Sequence, residues 1–160
     1  MNLNEFLDSR HVPFERLQHR TAYSANRAAQ ALHVPGRAFA KTVLLRTGHG
    51  YALAVLPATH RVDLERARED LGEDRVEMAS EDEMERLFPD CERGAMPPFG
   101  SLYQLPTLVD ESLAEDEQIA FEAHTHEDAI RMAYRDYEAI EHPRHGHFAR
   151  PAEATGGGIR

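Results

Sequence analysis

The sequence predicts an α/β fold (α+β-like): a single compact domain with a mixed central β-sheet flanked by helices. Three observations lead there. Residues 39–46 and 51–57 are apolar, partly β-branched runs separated by Thr47-Gly48-His49-Gly50, a strong hairpin signal that rules out an all-parallel sheet. Strand-like runs interleave with capped, helix-like segments along the rest of the chain, the pattern of helices packed on a sheet. A chain of 160 residues is long enough to bury roughly 70% of its unfolded surface in one core, with no need of disulfides or a metal.

The elements follow in order. Asn2 is placed to cap a short helix through Leu7, and Phe14-Glu15-Arg16-Leu17-Gln18-His19 alternates like a strand. Ser24 precedes an Ala-rich amphipathic segment, Ala25 to Leu32, closed by Pro35-Gly36. After the hairpin, Asp63 caps a helix to Leu71 with Gly72 as its stop. Arg75 to Met78 reads as a strand, and Ser80 with Glu83 forms a capping box for a helix through Phe88. Pro89 to Gly100 is a Gly/Pro-rich loop of a length usually reserved for function. Leu105 to Val109, Gln118 to Ala123 and Ala129 to Ala133 read as strands, followed by a helix near Tyr134 to Ile140. The chain is expected to fray from His142 onward, which bounds the domain at 1–148 and leaves 149–160 as a disordered tail.

Composition limits the function. A net charge of −10 argues against a general DNA or RNA binder, though not against a protein that grips only a nucleic-acid end through a local patch. Cys91 stands alone and cannot form an internal bridge, which fits a reducing cytoplasm. No basic-then-apolar leader opens the chain and no apolar run approaches the roughly 18 residues of a membrane span, so the expected location is cytoplasmic, with no membrane partner.

Two segments stand out chemically. Of eighteen basic residues, seventeen are Arg, and Lys41 is the only lysine, set inside an apolar strand. On a period of two, Phe39, Lys41 and Val43 share one face, so a covered sheet would point the ammonium into an enclosed cleft. Lysine suits a tight site that needs a compact, rotatable charge; an edge-strand lysine that blocks sheet pairing is the competing explanation. The second segment is Cys91 to Gly100, in which Gly94 and Gly100 bracket Pro97-Pro98. A stiff loop with N–H groups at Gly94, Ala95 and Met96 can serve as a carbonyl clamp, or it can merely pack Phe99 on the core. His124-Thr125-His126 would put two rings on one face of a strand, half of a zinc site, but no further ligand stands at a recognised spacing and no metal is assigned. His142, His145 and His147 carry no site. No nucleophile elbow, P-loop or GxGxxG is present.

Taken together, several stretches resemble the YbaK / prolyl-tRNA-synthetase-associated editing domains. They are His19 with Ala22-Tyr23-Ser24-Ala25, Ala40-Lys41-Thr42-Val43, Val55-Leu56-Pro57-Ala58 with Arg61-Val62-Asp63-Leu64, the Gly94 to Pro98 loop as a GxxxP element, and Phe121 to Met132, whose start is similar to F-N-A-G-[ST]-H. The resemblance runs from about Phe14 to Pro143. It implies that fold and hydrolysis of mischarged aminoacyl-tRNA without a cofactor. Lys41, Gly94 and His126 would then be the catalytic residues, and His19, Tyr23, Thr42, Ala95, Met96, Pro97, Pro98, Phe99 and Gly100 would hold the substrate. The partners implied are the aminoacyl-tRNA 3′ end and an aminoacyl-tRNA synthetase. Glu122 and His124 depart from the pattern, standing where relatives carry Asn and Gly. On strand alternation Glu122 shares a face with His124 and His126, which permits a His–Glu interaction.

The reaction implied is hydrolysis of the ester between a small amino acid and the terminal ribose, an activated bond that needs orientation and charge stabilisation more than a strong nucleophile. The tRNA expected is proline tRNA. Two other functions stay open on sequence alone: a non-catalytic module that binds tRNA ends or a synthetase, and a small metallohydrolase built on the histidines.

Overall fold

The computed structural model describes residues 2–152. Polar caps start four of its five helices. Asn2 accepts the Glu5 N–H at α1 (Leu3–Ser9), and Ser24 accepts that of Arg27 at α2 (Ala25–Ala31). Asp63 accepts that of Arg66 at α3 (Leu64–Leu71), which stops at Gly72 in the left-handed conformation. Ser80 and Glu83 make the reciprocal capping box of α4 (Glu81–Leu87). Only α5 (Tyr134–Glu141) begins without a side-chain cap.

The hairpin is β2 (Ala40–Thr47) and β3 (Gly50–Pro57), antiparallel from Ala40↔Pro57 to Thr47↔Gly50. It is the centre of a five-stranded sheet. β5 (Val76–Met78) lies antiparallel outside β2, whereas β6 (Thr107–Asp110) and then β9 (Arg144–Gly146) run parallel on the other side of β3. The central sheet is therefore mixed. A second, antiparallel sheet orders β1 (Phe14–Gln18), β8 (Asp128–Ala133) and β7 (Gln118–Glu122). A third pairs β4 (His60–Val62) with β10 (Ala149–Pro151).

The two larger sheets face each other across the main core. Ala40, Val55 and Val109 of one meet Phe121, Ile130 and Met132 of the other, with Leu3, Phe6 and Leu7 of α1 and Tyr134 and Tyr137 of α5 closing the ends. Phe99 sits among them, edge-on to Phe6, Phe121 and Tyr137. The opposite face of the central sheet, Leu45, Ala54, Leu56 and Leu108, packs on Ala67 of α3. None of the described helices is long and apolar enough to cross a membrane.

Two expectations fail. The strand read at Leu105 to Val109 begins at Thr107, because Leu105 N–H closes a turn onto the Gly100 carbonyl. The chain also does not fray after His142, and residues 149–151 form a strand where a disordered tail was expected. Phe148 is fully buried against Leu56, Val62 and Leu108, and Asp110 Oδ1 accepts the N–H groups of both Phe148 and Ala149. Pairing to β4 and an ion pair from Arg150 to Asp63 at 3.3 Å extend the docking. One aromatic anchor in a chain of polar and small neighbours gives little periodic signal, so composition misjudged the segment. The rest of the expected tail, residues 153–160, lies outside the described residues.

Phe148→Ala is accordingly expected to lower unfolding free energy by about 3–5 kcal/mol, as truncation of a buried aromatic does. Urea denaturation checks this; a loss under about 1 kcal/mol, the usual size for surface positions, would show that the docking is superficial.

Candidate functional site

The cavity containing Lys41 arises from an incomplete sheet. β5 covers β2 only at Leu45–Thr47, so among the described residues the Ala40–Val43 half of β2 has β3 on one side and no paired strand on the other. Three segments close that side: Tyr23-Ser24-Ala25 at the start of α2, the loop through Gly94 and Met96, and the end of β7 at Glu122. With Ala40, Lys41 and Thr42 they enclose about 130 Å³. Burial lowers the Lys41 pKa from the usual lysine value. Beside it, Thr42 Oγ1 is buried and has no hydrogen-bond partner among the described residues. A hydroxyl left so in a cavity wall can bond whatever polar group enters the cavity.

Two loops build the far wall and are stitched together. Glu92 N–H donates to the His124 carbonyl at 2.7 Å, and His124 N–H to that of Ala95 at 3.0 Å. His126 N–H donates to Glu92 Oε1 at 2.6 Å. Gly94 takes φ +84°, where a side chain is strained, and a Cβ there would stand 3.6 Å from His126 Cε1. The N–H groups of Gly94 and Met96 have no hydrogen-bond partner among the described residues. That of Ala95 does not match the clamp expected of it, because it is committed to the Glu92 carbonyl at 2.9 Å. From behind, Tyr137 Oη donates to the Pro98 carbonyl at 2.8 Å, which fixes the loop to α5.

Glu122 and His126 form a buried pair on this wall. His126 Nδ1 lies 2.8 Å from Glu122 Oε2, and Nε2 lies 2.5 Å from the Arg93 carbonyl oxygen. Both side chains are less than a tenth exposed. Burial pushes the Glu122 carboxyl up to about 7, against the opposing pull of His126. Tyr23, by contrast, is 79% exposed at the mouth, its ring edge-on to that of His126 with centroids 5.1 Å apart.

The structure thus brings Lys41, Thr42, Gly94, Met96 and Tyr23 to one cavity, with His126 directly behind Glu122. It does not bring the other expected substrate contacts there. Ala95 is fully buried, Phe99 belongs to the core, and Pro97, Pro98 and Gly100 lie buried behind the loop. A side chain at Gly100 would meet the Leu105 carbonyl at 2.4 Å, so that glycine serves packing. His19 is outside the lining; its Nδ1 bonds the Arg20 carbonyl, and its buried Nε2 has no partner among the described residues. The same Gly/Pro composition serves a clamp and a core plug equally well, which is why sequence reading merged them. Ser24, Ala25 and Ala40 were missed as lining, since small residues carry no chemical signal.

His124 and His126 were expected on one strand face. Residues 123–127 instead form a loop, His124 takes φ +75°, and the two rings diverge. Left-handed backbone is the conformation glycine adopts most readily, and His124 takes it without that freedom. His124 Nε2 accepts the Leu3 N–H at 3.2 Å, and Nδ1 lies 3.2 Å from Cys91 Sγ. Asp90, Cys91 and His124 bring ligand-type atoms within 4.8 Å of one another. An Nε2 that accepts leaves the neutral ring's proton on Nδ1, facing the sulfur, and burial pushes the Cys91 thiol up to about 12. The cluster is therefore arranged as a proton-filled hydrogen-bond network tying α1 to the two loops, continued through Tyr103 Oη to Asp90 at 3.0 Å.

The sequence profile of the aminoacyl-tRNA editing domain matches residues 19–140. Among solved structures, that of a proposed trans-editing enzyme for prolyl tRNA synthetase superposes with a TM-score of 0.80 at 22% identity, covering 92% of this chain and 94% of that one. A hypothetical protein superposes with a TM-score of 0.84 at 17% identity, over 92% of this chain and 99% of that one. A proposed signal transduction protein from Marinobacter aquaeolei VT8 superposes with a TM-score of 0.72 at 21% identity, over 93% of this chain but 30% of that one. Identities this low establish the fold and leave function to the site. Comparison with curated proteins gave no match.

Proposed function

We propose, starting from the fact that the chain belongs to the aminoacyl-tRNA editing domain family, that it is a deacylase for mischarged tRNA. The bond cut is the ester between a small non-cognate amino acid and the terminal ribose. Proline tRNA is the first candidate, because a structural relative is described as a proposed trans-editing enzyme for prolyl tRNA synthetase. Docking on a synthetase and action in the cytoplasm belong to the same proposal, with residues 1–148 extended by the β10 strand as the working unit.

The observation that carries this reading is the small cavity itself. It joins an ammonium with a hydroxyl and two backbone N–H groups that have no partner among the described residues, around a space fit for an aminoacyl head. In the mechanism proposed, Gly94 and Met96 N–H groups stabilise the oxygen that becomes an anion when water adds to the ester carbonyl. Lys41 holds the ribose end, and Thr42 Oγ1 bonds a polar group of the same sugar or of the amino acid. Tyr23 offers an exposed ring on which the terminal adenine can stack. Contact with the nucleic acid stays local, as the net charge of −10 requires.

Purified protein mixed with a panel of mischarged tRNAs, with and without chelator, tests the function. Hydrolysis that survives chelation supports it. Retention of the tRNA without turnover would make the protein a binding module, and chelator-sensitive turnover would make it a metallohydrolase.

Gly94→Val is expected to cut turnover by about 10²-fold or more, through loss of oxyanion stabilisation. The strain of a left-handed non-glycine residue is about 1–2 kcal/mol, so stability falls less than activity does. Thermal melts beside the kinetics check it; parallel losses in both would assign Gly94 to packing.

A further inference from the structure

The cavity wall holds a carboxyl group with an unusual set of partners. Glu122 Oε2 is engaged by His126 Nδ1, while Oε1 has no hydrogen-bond partner among the described residues and the side chain lines the cavity. The Arg93 carbonyl can only accept, so His126 Nε2 carries a proton in every state of the pair. One further proton is shared between Nδ1 and Oε2, residing either as imidazolium and carboxylate or as imidazole and carboxylic acid. A carboxyl that exchanges protons with a fixed imidazole beside a substrate cavity has the equipment of a general base.

We propose that Glu122 is a catalytic base of this deacylation, with His126 as its positioning partner; the proposal rests on the deacylase reading above. Water adds through its oxygen to the ester carbonyl carbon and gives a proton to Glu122 Oε1. The tetrahedral intermediate then collapses, the bond from carbonyl carbon to ribose oxygen breaks, and Glu122 returns that proton to the ribose oxygen. Water and ester become amino acid and a free ribose hydroxyl, with no other reactant.

The charged groups around Glu122 set its titration. Lys41 on β2 shares the cavity, and the Glu92 carboxylate on the opposite loop raises the Glu122 carboxyl further. The Arg93 guanidinium is turned away, held by Glu81 and Glu85 on α4. His124 faces Cys91 instead. Burial, opposed by His126, leaves the carboxyl at about 7. The base form is the deprotonated one, so activity is present above that value and is lost as pH falls through it.

The test is the pH–rate profile, from about pH 5.5 to 9, of alanyl-tRNA(Pro) deacylation by wild type, Glu122→Gln and His126→Ala, a range that brackets the Glu122 titration. Wild-type kcat should rise through about pH 7 and level off. Glu122→Gln, which preserves shape, should lose about 10²- to 10⁴-fold in kcat, with KM little changed and the inflection gone. His126→Ala keeps the carboxyl but removes the group that lowers its pKa, so its inflection should move to higher pH. Unchanged kcat and profile in Glu122→Gln would overturn the proposal and leave the deacylase reading standing. So would a loss confined to KM, since the carboxylate would then only hold the substrate's ammonium. A wild type that deacylates nothing in the panel would overturn the deacylase reading itself, and this proposal with it.

Discussion

Lys41→Ala is expected to lower deacylation by about 10²- to 10³-fold, the scale of removing one preorganised charge-stabilising group from an enclosed site, with little change of melting temperature. The second half follows from the sign of the pKa shift. A lysine whose pKa falls on folding is held against the cost of desolvating its charge, so at any pH where it stays protonated it works against the fold. Desolvation at this position therefore outweighs what its contacts add to the charged form, and removing it should leave the melting temperature nearly unchanged. Lys41→Arg should be nearly as inactive. The guanidinium is a rigid planar fork, longer than the ammonium, and the cavity beside β2 holds only about 130 Å³. Turnover near wild type in the arginine variant would show that charge alone matters and that the compact shape of lysine does not. A melting temperature several degrees lower in Lys41→Ala would make the residue structural.

Lys41 was also the residue that stood out most in the sequence, for a physical reason: the chain's single lysine in an apolar strand contradicts its surroundings, and contradictions are what a sequence can display. Helix caps at Asn2, Ser24, Asp63 and Ser80 were equally legible, because a cap is a local interaction between residues three apart. The hairpin followed from two apolar runs on either side of Thr47-Gly48-His49-Gly50, a local signal. What stayed hidden depends on long-range contact. The 148–151 segment docks through Asp110, nearly forty residues away, and no local pattern announces that. Within the loop from Cys91 to Gly100, Gly94 faces the cavity and Gly100 faces the core, although the two look alike in sequence. The strand expected through His124 and His126 failed for the same reason. Its alternation was real, but hydrogen bonds to Glu92 and Ala95 in another loop overrode it.

The size of the cavity sets the last expectation, a steep preference for alanyl over leucyl esters. Tyr23, Ala25, Ala40 and Met96 bound the space, and Met96 is nearly fully buried against Leu44, Leu53 and Phe88, so that wall cannot retreat without disturbing a packed cluster. Leucine carries three more carbons than alanine. At about 1 kcal/mol for each carbon forced into packed surroundings, exclusion amounts to about 3 kcal/mol, or about 10²-fold in kcat/KM. That lies at the upper end of what a fitting pocket achieves between ligands one methylene apart, and here it arises because the walls exclude by contact. Alanine, serine, cysteine and proline esters should all be accepted, with alanine and cysteine on proline tRNA preferred. Deacylation rates across Ala-, Ser-, Cys-, Pro- and Leu-charged tRNA measure this directly. Met96→Ala supplies the control: it opens the wall and should raise the leucyl rate while leaving the alanyl rate nearly unchanged. Equal alanyl and leucyl rates in the wild-type protein would sink the size sieve, because a cavity closed on β2 could not then be where the side chain goes.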